Sequence, residues 1–127
     1  MPKVSKASAA NVQDIGVGTL SSEVSAGYDF TFLSFRERGE LAPLLKGLPD
    51  DMCNCPHWGY MVAGSTTFTH LDGTVETFTE GDSFYVTPGH TPVSEPGTEM
   101  LIISPEKQHA VVNAVIEANM AAMAGAR

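Results

Sequence analysis

Two short stretches hold most of the side chains in this chain that could do chemistry. Residues 53–60 read CNCPHWGY and residues 81–92 read GDSFYVTPGHTP; together they contain both cysteines, the only tryptophan and two of the four histidines. Thiolate and imidazole are soft to borderline ligands, and such a set suits zinc, iron or copper better than magnesium or calcium, which prefer oxygen. If the first stretch is extended, the period-two alternation of a strand sends Cys53, Cys55 and His57 to one face. Pro56 supports that conformation by restricting Cys55 to extended backbone. Only Asn54 separates the two cysteines, so a disulfide between them would close a small strained ring and staple nothing distant. Free thiols or ligands in a reducing compartment are expected instead. Each residue also has an ordinary alternative, since free cysteines are usually buried packing and a histidine can simply bond the backbone.

The elements that must position these residues read mostly as strands. Residues 28–35 (YDFTFLSF) are dense in aromatic and β-branched side chains between Gly27 and Gly39 and predict a strand. Upstream, Val12, Ile15, Val17 and Leu20 are interrupted by Gly16 and Gly18, which suits one or two irregular strands. From Tyr60 onward the pairs Asp72–Gly73, Gly81–Asp82, Pro88–Gly89 and Pro96–Gly97 punctuate short runs, with a type I′ hairpin predicted at Asp72–Gly73. That spacing predicts an all-β barrel or sandwich. Residues 40–51 mix leucines with Pro43, Gly47 and Pro49 and predict an apolar loop or flap, over a barrel mouth or in a subunit contact.

After the apolar run 99–103, Ser104 reads as an N-cap, Pro105 as the first helical residue and Glu106 as a favourable charge at the helix start. The helix over about 105–124 carries Val112, Val115, Ile116, Asn119, Met120 and Met123 on one face, which must pack on the sheet or on a second subunit. His70, beside the hairpin turn, and His109, on the helix, read as surface residues.

The chain of 127 residues fits a single domain over 11–127, with barrel strands over about 11–104, preceded by a flexible tail of residues 1–10. Seven Lys and Arg against fifteen Asp and Glu give a net charge of −8, and the basic residues are scattered. Nucleic acid and anionic membrane partners need a concentrated positive patch and are not expected. The start of the chain shows no apolar run of signal-peptide length, and no segment approaches the roughly 18 apolar residues of a membrane span, so a cytoplasmic protein is expected. Neither a G-x-S-x-G nucleophile pattern nor a P-loop or Rossmann glycine pattern occurs.

Residues 57–64 (HWGYMVAG), Asp72–Gly73 and residues 81–90 (GDSFYVTPGH) resemble the two motifs of the cupin superfamily. The resemblance covers about residues 45–104 and is strongest to small bacterial single-domain cupins with CPHWGY and PPGHTP segments. It implies an all-β fold, a cupin double-stranded β-helix (jelly-roll-like) barrel, followed here by the C-terminal α-helix. In the family pattern the first motif supplies two histidines one residue apart, then a glutamate, then a glycine seven residues on. With Gly64 as that glycine, the glutamate position is His57 and the histidine positions fall near Asp51 and Cys53. The second motif would place its histidine at Pro92, which has no side-chain donor; His90 stands two residues earlier with the same strand parity.

The candidate metal ligands are therefore Cys53, Cys55, His57 and His90. Asp51, Trp58, Tyr60 and Tyr85 are candidates to line the pocket. The mixed thiolate and imidazole set suits a divalent transition metal, zinc or iron first, and the resemblance implies a small-molecule ligand and a homodimer. Cupins include dioxygenases, isomerases and decarboxylases, so an enzyme here would be a metal-dependent oxygenase, isomerase or lyase; the alternative is a non-catalytic small-ligand-binding or structural cupin without metal. Because thiolate and neutral imidazole must shed protons to bind, metal affinity is expected to weaken as pH falls through about 6 to 7.

Overall fold

The protein is described by a computed structural model over residues 3–125. Ten strands and one long helix follow in order: β1 (Asn11–Asp14), β2 (Gly18–Ser25), β3 (Tyr28–Phe35), β4 (Gly39–Glu40), β5 (His57–Ala63), β6 (Ser65–His70), β7 (Val75–Thr79), β8 (Ser83–Val86), β9 (His90–Ser94), β10 (Glu99–Pro105) and α1 (Glu106–Gly125). Two short 3-10 turns, Ala42–Leu45 and Pro49–Asp51, fill the connection from β4 to β5. All pairings between the strands are antiparallel, in one sheet of order β1-β2-β3-β10-β5-β8 and a second of order β4-β9-β6-β7. No helix among the described residues is long and apolar enough to cross a membrane.

The alternation of strand side chains decides what is inside. β3 buries Asp29, Thr31, Leu33 and Phe35, β10 buries Met100, Ile102 and Ser104, and β5 buries His57 and Met61. From the other strands, Phe84 and Val86 of β8 and Thr66 and Phe68 of β6 complete the interior. Leu33, Phe35, Met61, Phe68, Phe84, Val86, Met100 and Ile102 form one apolar cluster, with Phe78 stacked on Phe84 at 4.5 Å between ring centroids. Each large side chain so buried contributes about 1.5–3 kcal/mol. A second cluster, Leu45, Leu48, Cys53, Cys55 and Val112, has Val115 and Ile116 packed against it.

The apolar face of α1 therefore packs on its own domain rather than waiting for a partner. Val112 is buried, and Asn119 donates through Nδ2 to the carbonyls of Leu44 and Lys46 at 2.7 and 2.8 Å, tying the helix to the 41–48 segment. Towards the end of the helix the stripe runs out into solvent, where Met123 is exposed. Residues 3–10 form no strand, but Lys6 Nζ reaches Ser34 Oγ at 2.8 Å and Glu99 Oε1 at 3.0 Å. The remainder of the expected tail, residues 1 and 2, lies outside the described residues.

Two local expectations are corrected. The Asp72–Gly73 hairpin forms, but only Gly73 of the pair has positive φ, +88°. Its N–H bonds His70 O at 2.9 Å and Asp72 Oδ1 accepts from Thr74 N at 2.9 Å, so a three-residue loop with a left-handed glycine replaces the two-residue type I′ turn. Ser104 is not an N-cap: β10 stays paired with β3 as far as Pro105↔Tyr28, and the helix begins at Glu106. Continuous cross-strand pairing outweighs the local capping signal and turns the Ser104 side chain into the barrel.

One glycine is required by both conformation and space. Gly64 has φ +79°, and a Cβ there would sit 2.5 Å from Thr98 Cα and from Oγ1, the hydroxyl that bonds both Ser65 N and Ser65 O. Gly64→Ala should lower unfolding free energy by about 2–4 kcal/mol, from left-handed backbone strain plus a clash with backbone. Gly81→Ala, at φ +91° with open space around it, should cost only about 1 kcal/mol, as measured by urea denaturation.

Candidate metal centre

Cys53 and His90 are brought together by backbone rather than by side chains. After the turn at Pro49–Asp51 the chain forms an isolated antiparallel bridge, Cys53↔His90. Cys53 N donates to His90 O at 2.9 Å, while Gly89 N and His90 N donate to Cys53 O at 2.8 and 3.2 Å. Directly paired residues face the same side of a sheet, so thiol and imidazole open on one space. His57 enters from the first position of β5, paired with Val86. Its Nδ1 lies 2.7 Å from Ser104 Oγ, and its Nε2 lies 3.4 Å from Cys53 Sγ.

One donor atom from each of Cys53, His57 and His90 falls within 4.8 Å of the others, and all three residues are buried. Metal bonds of about 2.0–2.3 Å place tetrahedral ligand atoms about 3.3–3.8 Å apart. The Cys53–His57 separation already matches that spacing. The hydrogen bonds of the histidines point the same way. His90 Nδ1 donates to Thr87 O at 2.6 Å, which leaves Nε2 bare; it is the one buried side-chain nitrogen or oxygen without a partner among the described residues. A buried acceptor left unpaired costs about 1–3 kcal/mol, and a metal would relieve that. A ligating histidine typically donates its other nitrogen to a carbonyl or hydroxyl, as His90 does to Thr87 and as His57 can do to Ser104.

Burial sets the protonation of these groups. It pushes the Cys53 thiol up to about 11 and the Cys55 thiol up to about 12. His57 is held well below the usual histidine range, first by burial and then by the neighbouring His90 and His109; His90 is lowered mainly by burial. The lowered histidine pKa values shift proton competition at the imidazoles below the usual histidine range, and the raised thiol pKa adds the Cys53 proton to those a metal would have to displace.

The other candidates are not part of this donor group. Cys55 is fully buried in one cluster with Cys53, Leu45, Leu48 and Val112, and its Sγ lies 3.4 Å from Pro56 O. The extended run that would have aligned it with Cys53 is broken, because Asn54 Nδ2 donates to Pro49 O and Met52 O at 3.1 and 3.0 Å and bends the chain. Asp51 is exposed and accepts from Gly47 N at 2.9 Å, closing a turn. Trp58, Tyr60 and Tyr85 are 45–47 % exposed on the outer face. The alternation that sends His57, Met61, Phe84 and Val86 inward must send these three outward. Pro92 lines the inner cavity as an apolar wall where the family pattern has its last histidine.

That cavity, of about 80 Å³, is lined by Cys53, His57 and His90 and by Leu33, Phe68, Met100, Ile102 and Val112. Leu41 and Leu45 from the 40–51 segment also line it. His109, read as a surface residue, is also on its wall, 5 % exposed and 5.5 Å from the His57 ring. His109 Nδ1 lies 2.9 Å from Asp29 Oδ2, and Thr31 donates to the same carboxylate at 2.8 Å. Burial alone would raise the Asp29 pKa; the hydrogen bonds from His109 and Thr31 outweigh it and hold the carboxyl below its usual range. The signal for His109 was present in the sequence, since residues 109, 112 and 116 share the apolar stripe of α1. Asp29 likewise shares the inward parity of Leu33 and Phe35. His70, the other surface expectation, is 13 % exposed by its side chain and pairs with Glu76 at 2.9 Å beside a surface groove that Tyr85 also borders.

In protein treated with chelator, stability should depend on pH in a defined way. His57 and His90 have lowered folded pKa values, so below 6.5 the unfolded chain binds more protons and stability falls with pH. The two thiols have raised folded pKa values, so above 9.0 the unfolded chain loses protons first and stability falls as pH rises towards 11–12. Melting temperature should therefore peak between pH 6.5 and 9, and a profile flat from pH 5 to 10 would contradict neutral burial of these groups.

No family model and no curated protein matches this sequence. Solved structures do. A variant of Bacillus subtilis oxalate decarboxylase aligns over 80 % of this chain and 28 % of its own, with TM-score 0.58 and 18 % identity. The formate complex of Lactobacillus farciminis oxalate decarboxylase aligns over 83 % of this chain and 34 % of its own, with TM-score 0.58 and 14 % identity. Another Bacillus subtilis oxalate decarboxylase structure, described for its Mn(II) centres, aligns over 80 % of this chain and 28 % of its own, with TM-score 0.55 and 18 % identity. This chain thus spans about a third of the proteins it resembles. At these identities the likeness shows architecture, and it agrees with the barrel expected from the motifs: the protein has the fold of the cupin superfamily.

Proposed function

We propose that this barrel holds one divalent transition metal through Cys53, His57 and His90 and binds or acts on a small organic molecule in the cavity beside it. The observation that carries this reading is the bare, buried Nε2 of His90, which faces a thiol and a second imidazole instead of a hydrogen-bond donor. One sulfur and two nitrogens fit zinc or iron; manganese, reported for one structural neighbour, favours oxygen-rich sites. A metal bound there would act as a Lewis acid, polarising a carbonyl or lowering the pKa of water. The chain's own residues supply the rest: Ser104 and Thr87 orient the imidazoles, and the apolar walls exclude bulk water.

The apolar character of those walls also favours a second reading, a non-catalytic module that binds a small ligand without metal. Metal analysis separates the two. Protein never exposed to chelator should contain close to one transition metal per chain; His57→Ala, His90→Ala and Cys53→Ser should each weaken binding by at least about a hundredfold. Cys55→Ser should leave binding intact. Because a single thiol proton is displaced, apparent affinity should rise about tenfold per pH unit between pH 7.5 and 9.5, and this slope should vanish in Cys53→Ser. An apolar cavity filled by ligand in metal-free protein would overturn the metal reading.

A homodimer belongs to the same proposal, supported by the exposed apolar face of Trp58, Tyr60, Val62 and Tyr85 on β5 and β8. Sedimentation velocity should show twice the 13.5 kDa chain mass for wild type and a shift towards monomer in Trp58→Ser.

A further inference from the structure

Outside the cluster of Cys53, His57 and His90, a groove of about 590 Å³ is bounded by β1 and β2, by Leu41 and Leu44, and by Asn113, Ile116 and Glu117 of α1. Small-molecule sites typically measure about 300–1,000 Å³ and combine apolar walls with a few polar groups. This groove has both. Leu20, Leu33, Leu44 and Ile116 supply apolar surface. Asn11, Gln13 and Ser22 share the face of Leu20 through the pairs Asn11↔Ser22 and Gln13↔Leu20, and their amide and hydroxyl groups make no side-chain hydrogen bond among the described residues.

The backbone of β1 adds further polar groups. β1 is an edge strand, paired only with β2. Ala10, Asn11, Val12 and Gln13 all border the groove, although successive side chains of a strand point to opposite faces, so the groove follows the strand's edge as well as one of its faces. Ile15 N donates to Gly18 O at 3.0 Å, and the register then makes Gln13↔Leu20 and Asn11↔Ser22 the hydrogen-bonded pairs. Val12, between them, directs its N–H and C=O away from β2, and neither has a backbone partner beyond the sheet among the described residues.

Charge selects the ligand class. The charged residues that border the groove are Asp29 and Glu117, and no Lys or Arg borders it among the described residues. The Asp29 carboxylate is shared with His109 and Thr31, and Asn113 stands beside that pair with Nδ2 3.4 Å from His109 Nδ1. Glu117 is exposed and makes no ion pair among the described residues. The groove is therefore negative whatever charge the Asp29–His109 pair carries, because Glu117 alone keeps it so. An anion would be repelled. A primary ammonium, with three donors and no acceptor, matches a carboxylate beside an unpaired carbonyl.

We propose that this groove binds a small primary amine with an apolar body, the ammonium held by Glu117 and the free edge of β1 and the hydrocarbon lying on Leu20, Leu41, Leu44 and Ile116. The inference does not rest on the metal reading, since no donor of the inner cluster takes part.

The test titrates the full chain with hexylamine, protonated at neutral pH as a lysine is, and with hexanol, which has the same chain and no charge, followed by ¹H–¹⁵N correlation spectra. Hexylammonium should saturate one set of shifts at residues 10–13, 22 and 113–117 and bind about tenfold more tightly than hexanol at low salt, the worth of one charge-assisted hydrogen bond. At about 0.5 M salt the preference should shrink severalfold, because the carboxylate is exposed to screening. In Glu117→Lys, a solvent-facing helix position that suits Lys, the preference should disappear while hexanol affinity stays as in wild type. Equal binding of the two compounds to wild type, or no binding of either, overturns the inference without depending on any variant. Shifts confined to residues outside the groove, or a preference that survives in Glu117→Lys, overturn it as well. Failure of the metal reading is recognised separately, because chelator-treated protein should give the same titrations.

Discussion

Three backbone hydrogen bonds join Cys53 to Gly89 and His90, and they fix a residue outside any regular strand against the first position of β9. Most of what makes the site follows from that junction. It points the thiol and the imidazole into the same space, and His57 completes the cluster because β5 begins beside it in register with β8. A slip of one residue in either pairing would turn a ring to the outer face, where Trp58 and Tyr85 now stand. The convergence of the three donor atoms is thus a consequence of strand register.

Burying three histidines and two thiols in a small domain is costly unless the groups stay neutral or find partners. The protein does both. Burial lowers the pKa values of His57 and His90, each has one nitrogen engaged by Ser104 or Thr87, and His109 is matched to Asp29. The remaining deficit among the described residues is at Nε2 of His90, within the group formed with Cys53 and His57. The net charge of −8 adds a long-range field that attracts cations.

The helix α1 carries out two tasks with one stripe. Val112, Val115 and Ile116 seal the end of the barrel against Leu45 and Leu48, and His109, on the same stripe, enters the cavity. Asn119 holds the 41–48 segment to the helix, so Leu41, Leu45 and His109 on the cavity wall belong to one assembly. Changes in that packing would alter the position of His109 beside His57.

The barrel was legible in the chain because alternation and turn residues are local properties. Residues 28–35 became β3 as read, and the hairpin at Gly73 formed with a different loop. Cys53, His57 and His90 were legible as residue types at motif spacing. Their separation from Cys55 was not, since it depends on the Asn54 side chain bonding two carbonyls of the preceding turn. Ser104 had a local reading as a cap, and only the pairing of β10 with β3 and β5 assigned its hydroxyl to His57. His109 and Asp29 are far apart in the chain, and their contact exists only once α1 docks on β3. The sequence by itself determined the strands, the ligand chemistry and the apolar helix face; tertiary structure decided which donors converge, because convergence depends on register and docking between distant segments, which local periodicity does not encode.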